Sequence, residues 1–143
     1  MATEMRKSGI DVVGDMPWGS HFCLFYETKE DLLDTLISYC KTGLESDEFC
    51  LWVVAEPLTI EEAADAMKDA MPDFNRFRAD SSIEIVSARD WYLQGGTFDL
   101  KRVTDGWHEK LGYASAKGYT GVRVTGDTAW LARKDWKHFC EYE

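Results

Sequence analysis

The chain has 143 residues and a formal net charge of −10, from 26 acidic against 16 basic side chains. A chain of this length buries roughly 68–70% of its unfolded surface, so one domain over residues 1–143 with a substantial core is expected. The acidic balance works against phosphate-backbone contact and anionic lipid, so neither nucleic acid nor membrane is expected as a direct partner. No run approaches the ~18 apolar residues of a membrane span, Met1 to Asp15 has no apolar signal core, and a cytoplasmic location is the expectation.

In chain order, Met16 to Gly19 reads as a turn, punctuated by Pro17 and Gly19. Gly19 to Tyr26 is an apolar run and is predicted as the first strand. Thr28 followed three positions later by Asp31 forms a capping-box start for a helix whose apolar stripe is Leu32, Leu33, Leu36, Ile37 and Cys40, with Gly43 as its expected left-handed cap and Lys41 to Asp47 as a polar connection. Glu48 to Ala55 is a continuous apolar run, the pattern of a strand covered on both faces. Thr59 and Glu62 open a second helix that Pro72 stops, and Phe74 and Phe77 anchor the connection after it.

Ile83 to Ser87 alternates more and is predicted as an edge strand, running into an aromatic, glycine-punctuated loop from Arg89 to Gly96. Leu100, Val103, Trp107, Leu111 and Ala114 mark an amphipathic helix between a cap at Asp99 and a terminator at Gly118. Gly121 to Thr125 is a fourth strand, and a last helix begins near Lys134 with Trp136 and Phe139 inward. Such alternation implies an α/β fold, a three-layer arrangement with a mostly parallel sheet and helices on both faces, RecA- or Rossmann-like.

The four cysteines form no C-x-x-C pair, and Cys23, Cys40 and Cys50 lie in apolar patterns, so reduced core thiols are expected. His21 and Cys23 share one face of the first strand, but two ligands do not make a metal site. The turn after that strand, Phe25 to Asp31, has no glycine to converge backbone amides on a phosphate, and Lys29 is followed by Glu30 instead of Ser or Thr. Nucleoside triphosphate hydrolysis is therefore not expected, nor is any catalytic residue, metal or cofactor.

The carboxyl ends of parallel strands form the default pocket of such a sheet. A small-molecule ligand site is expected there, lined by Tyr26, Glu27, Trp52, Glu56, Asp90, Trp91, Tyr92, Thr125, Asp127 and Trp130. The competing reading of Trp91 and Tyr92 is that they cap the core.

Several separated phrases carry a family resemblance. They are Pro17-Trp18-Gly19-Ser20-His21-Phe22-Cys23-Leu24-Phe25-Tyr26-Glu27-Thr28-Lys29-Glu30-Asp31-Leu32-Leu33, then Gly43-Leu44-Glu45 before Glu48 to Val53, then Thr125-Gly126-Asp127-Thr128-Ala129-Trp130-Leu131. From about Gly9 to Glu143 the chain resembles the MEDS domain, the methanogen/methylotroph DcmR-type sensory domain. The resemblance implies a non-enzymatic module of signal transduction that senses simple hydrocarbon derivatives, beside an output domain such as a histidine kinase, PAS or DNA-binding region. The family in turn is similar to RecA/KaiC-type ATPases. On that mapping Phe25 to Asp31 holds the phosphate-loop position, Glu56 matches the strand-end glutamate and Asp127 lies near the metal-binding aspartate. A degenerate nucleotide-binding domain and a dimerisation module are the alternatives. The mapping also implies a further strand between the first and the fourth, beyond Glu143. Without it either Gly19 to Tyr26 pairs directly with Gly121 to Thr125, or an open edge remains, and self-association as a homodimer is expected through that edge or the face around Trp136 and Phe139.

Overall fold

The computed structural model describes residues 4–143. A short antiparallel hairpin comes first, β1 (Met5–Lys7) against β2 (Asp15–Pro17), with Met5 opposite Pro17. Helix α1 (Lys29–Glu45) starts with the expected capping box. The Thr28 hydroxyl accepts from the Asp31 N–H at 3.1 Å, and the Asp31 carboxylate accepts from the Thr28 N–H at 3.3 Å.

Strand β3 (Phe49–Val54) is buried along its whole length, as its unbroken apolar run requires. Helices α2 (Ile60–Ala70, capped by Thr59 and Glu62) and α3 (Phe74–Ala79) follow. Strand β4 (Ile83–Ser87) leads directly into α4 (Ala88–Tyr92), because the Ser87 side chain caps that short helix by accepting from the Asp90 N–H. A 3-10 turn at Gln94–Gly96 precedes α5 (Leu100–Lys117), which begins at an Asp99 cap and ends on Gly118 in the left-handed region. Strand β5 (Val122–Thr125), a 3-10 turn at Arg133–Asp135 and α6 (Trp136–Tyr142) complete the described residues.

The architecture is mixed α/β around a three-stranded parallel sheet of order β4-β3-β5. The two-residue period of β3 divides the core. Cys50, Trp52 and Val54 pack with Leu32, Leu36, Ala63 and Met67, while Phe49, Leu51 and Val53 pack with Tyr92, Val103, Ala114 and Phe139. Each large side chain buried this way contributes roughly 1.5–3 kcal/mol relative to exposure.

Several expectations are corrected. Gly19–Tyr26 is not a strand: it runs alongside the sheet without ladder hydrogen bonds, so three strands stand where four were expected, and the N-terminal hairpin makes a second, separate sheet. A strand exists only through a neighbour, and this segment is instead held by side chains near its ends, as described below. Cys23 within it is exposed, whereas Cys40 and Cys50 are buried and unbridged, with burial pushing the Cys40 thiol up to about 12. Gly43 is not a cap, because α1 continues to Glu45. A Cβ at Gly43 would lie 2.8 Å from Arg123 Cδ and Cys50 Sγ, so this glycine makes room for the sheet. Part of the expected 89–96 loop is the helix α4, and Trp136 is 59% exposed although Phe139 is buried.

Candidate functional site

Arg123 explains why the N-terminal hairpin lies where it does. It is buried in β5 and forms a bidentate pair with the equally buried Glu48, at 3.1 and 2.9 Å. It also donates to the carbonyls of Lys7 (2.7 Å), Ser8 (2.9 Å) and Tyr39 (3.0 Å), and its guanidinium lies 4.8 Å from the Tyr39 ring centroid. The hairpin delivers Trp18, which packs on Gly121 so closely that a Cβ there would fall 2.2 Å from the indole. The Arg6 guanidinium lies over that indole, 4.8 Å from its centroid.

From Trp18 the chain runs as a strap to Tyr26, whose hydroxyl donates to the Asp127 carboxylate at 2.6 Å. That hydrogen bond, then burial and the charge of Asp127, push the Tyr26 phenol up to about 12. Asp127 is fixed in turn by accepting from the Ala129 N–H at 2.7 Å. The strap therefore parallels β5, tied at Gly121 before the strand and at Asp127 after it.

Between strap, α1 and sheet lies a cavity of about 1020 Å³. Of the sequence-predicted site residues, Tyr26, Trp52, Tyr92, Thr125 and Asp127 line it. Trp52 reaches it from the core, at 1% exposure. Trp130 does not line it but supports it, stacked on Tyr92 at 4.5 Å between ring centroids. Gly126 lets Tyr92 approach the turn, since a Cβ there would meet the Tyr92 hydroxyl at 2.5 Å. Burial raises the Tyr92 and Tyr142 phenols, and Tyr142 accepts from the Trp107 indole N–H. This wall is neutral and polarizable.

Glu27 and Glu56 are exposed and do not line the cavity. Asp90 and Trp91 border a separate cavity of about 630 Å³. The turn of α4 separates adjacent aromatics: Tyr92 points into the core, whereas Trp91 lies on α5 against Gly106 and Trp107. Sequence reasoning missed Phe22 and Tyr39, which face the cavity edge to face at 6.2 Å. The signal for Tyr39 was its place beside the apolar stripe of α1. Among the described residues no group of three or more His, Cys, Asp or Glu side chains is arranged to hold a metal ion, and no helix is long and apolar enough to cross a membrane.

The floor of the cavity is the free edge of β5. The Phe49 N–H donates to the Gly121 carbonyl at 3.0 Å, which sets the phase of the parallel ladder. Arg123 and Thr125 then turn their main-chain groups to β3, and Val122 and Val124 turn theirs to the cavity. Among the described residues the only hydrogen bond on that side is from the Tyr39 hydroxyl to the Val124 carbonyl, at 3.0 Å.

Comparison with curated proteins and with solved structures finds no significant match. The profile described as MEthanogen/methylotroph, DcmR Sensory domain (MEDS) matches residues 20–143, which takes in most of the strap, α1 and the sheet but not the N-terminal hairpin. The chain belongs to the MEDS family, a family of sensory domains in signalling.

Proposed function

We propose that the chain is a non-enzymatic small-molecule sensor whose ligand occupies the cavity between strap and sheet, with the signal passed to an output domain. The observation that carries this reading is the Tyr26–Asp127 hydrogen bond, which ties the strap across a cavity walled by Trp52, Tyr92 and Phe22. A volume of about 1020 Å³ whose walls are mainly apolar and aromatic, with polar groups such as Thr125 and Asp127 among them, suits a small molecule held by area burial and a few hydrogen bonds. Simple hydrocarbon derivatives have that chemistry. On the same reading the sheet is the core of a RecA-like doubly wound domain, with the strap in the place of its first strand.

The test is thermal unfolding against a panel of short-chain alcohols, amines and halides. A ligand at 100 times its dissociation constant stabilises the folded state by about 2.7 kcal/mol. At least one panel member should raise the melting temperature saturably. Tyr26→Phe should reduce that shift, and Trp91→Ala, on the other cavity, should leave it unchanged. A shift abolished by Trp91→Ala and retained by Tyr26→Phe would place the ligand elsewhere.

A further inference from the structure

Charge is balanced at one end of the cavity and not at the other. At the end under the hairpin two arginines meet two glutamates: Arg123 pairs with Glu48, and Arg6 lies 3.5 Å from Glu48 and 3.6 Å from Glu4. At the other end stands Asp127, two residues past the last residue of β5, on the turn that follows the strand. Its place there does not depend on what pairs with the edge of β5. Its partners are the Tyr26 phenol at 2.6 Å and the Ala129 N–H at 2.7 Å, both neutral, and among the described residues no Lys, Arg or His side chain pairs with it.

The groups around this carboxylate offer acceptors. Asp127 has about four lone-pair positions, of which two are taken. Tyr26 gives its only proton to Asp127, so towards the cavity its oxygen presents lone pairs alone. The neighbouring wall feels the charge: burial raises the Tyr92 phenol, and Asp127 adds to the rise. Beside these acceptors the lining is aromatic, with Phe22, Tyr39, Trp52 and Tyr92. An unneutralised carboxylate among aromatic rings matches a small organic cation, whose N–H groups the oxygens accept and whose charge the ring faces attract. A neutral alcohol fills one acceptor but leaves the charge unmatched, and a halide has no donor to give.

We infer that the ligand class of the cavity is a small primary alkylammonium ion, with Asp127 as its counter-ion and the Tyr26 oxygen as a second acceptor. The inference rests on the cavity reading proposed above and narrows it to one class of ligand.

Calorimetry with propylammonium chloride, 1-propanol and 1-chloropropane tests this on the wild type and on Asp127→Asn. Sodium chloride matches the ionic strength throughout, because a net charge of −10 attracts any cation. Propylammonium should bind the wild type saturably, about tenfold or more tighter than 1-propanol or 1-chloropropane. Asp127→Asn keeps an oxygen for Tyr26 and Ala129 but removes the charge. It should weaken propylammonium about tenfold or more while changing 1-propanol by no more than about threefold. A wild type that binds 1-propanol or 1-chloropropane as tightly as the ammonium overturns the assignment, and the cavity reading then still stands if Tyr26→Phe weakens that binding. Propylammonium binding that Asp127→Asn leaves unchanged overturns the assignment equally, and binding of none of the three overturns both readings. If Asp127→Asn does not fold, the ratio of ammonium to alcohol constants in the wild type decides alone.

Discussion

Arg123→Met is the substitution with the largest expected effect on the scaffold that holds the strap. Met fills much of the same volume but leaves the Glu48 carboxylate, 1% exposed, without its bidentate partner. The carbonyls of Lys7, Ser8 and Tyr39 lose their donor at the same time. Breaking a buried ion pair from one side costs about 3–5 kcal/mol. Arg6, 3.5 Å from Glu48, compensates part of this, which places the expectation near the lower end, about 3 kcal/mol. For a domain of this size that is a fall of roughly 10 °C in melting temperature. Urea unfolding should show the loss as a lower midpoint at unchanged slope. Glu48→Leu combined with Arg123→Met should recover most of it, because the pair is then replaced by apolar side chains instead of being broken. A single variant within about 1 kcal/mol of wild type, or a double variant whose losses simply add, would refute the reasoning.

Tyr26→Phe should cost about 1 kcal/mol, the value of a partly exposed hydrogen bond to a carboxylate, measured by urea unfolding at neutral pH. The folded-state phenol is raised from 10.0 to about 12, so its contribution is fully present below pH 10 and is lost as pH rises towards 12. The Tyr26→Phe deficit should shrink across that window, and a deficit that grows there would contradict the hydrogen bond. Gly43→Ala should destabilise by about 1–2 kcal/mol although alanine is the better helix former, because the new Cβ overlaps Arg123 Cδ and Cys50 Sγ at 2.8 Å. Stabilisation in thermal melts would mean that the two side chains yield freely. ATP with magnesium should bind no tighter than about millimolar, which is only ~4 kcal/mol. Lys29 is engaged by Glu62 at 2.5 Å, and Phe25 to Asp31 offers no glycine, so a micromolar constant by calorimetry would overturn the degenerate-loop argument.

What was legible in the sequence was whatever depends on near neighbours. The Thr28–Asp31 and Thr59–Glu62 boxes, the buried run of β3 and the Asp99-to-Gly118 span of α5 each declare themselves within a few residues, and each lies where expected. The strap misled because its apolar run reports what its side chains prefer, whereas a strand also needs a neighbouring chain, and no periodicity contains that information. Trp91 and Tyr92 were inseparable for a related reason. Their opposite destinations depend on Ser87 capping a single turn of helix, so that the indole meets Gly106 and the phenol meets Gly126. Arg123 was hidden in an ordinary strand pattern, since its partners are contributed from Lys7, Ser8, Tyr39 and Glu48.

The strap is also where a small ligand has the greatest leverage. The sheet and its two apolar clusters are held by many buried side chains, and a ligand cannot shift them by more than its differential affinity allows. The strap lacks a ladder and is fastened by side chains alone: the Trp18 packing, the Phe22–Tyr39 edge contact, the packing of Tyr26 on the core and its hydrogen bond of about 1 kcal/mol. Releasing the Tyr26 end alone therefore costs far less than opening either apolar cluster of the core. A differential affinity of about 1.4 kcal/mol between closed and released forms moves their ratio tenfold. A ligand touching both the strap and Asp127 has contacts that exist only in the closed form, so it supplies that difference without disturbing the core.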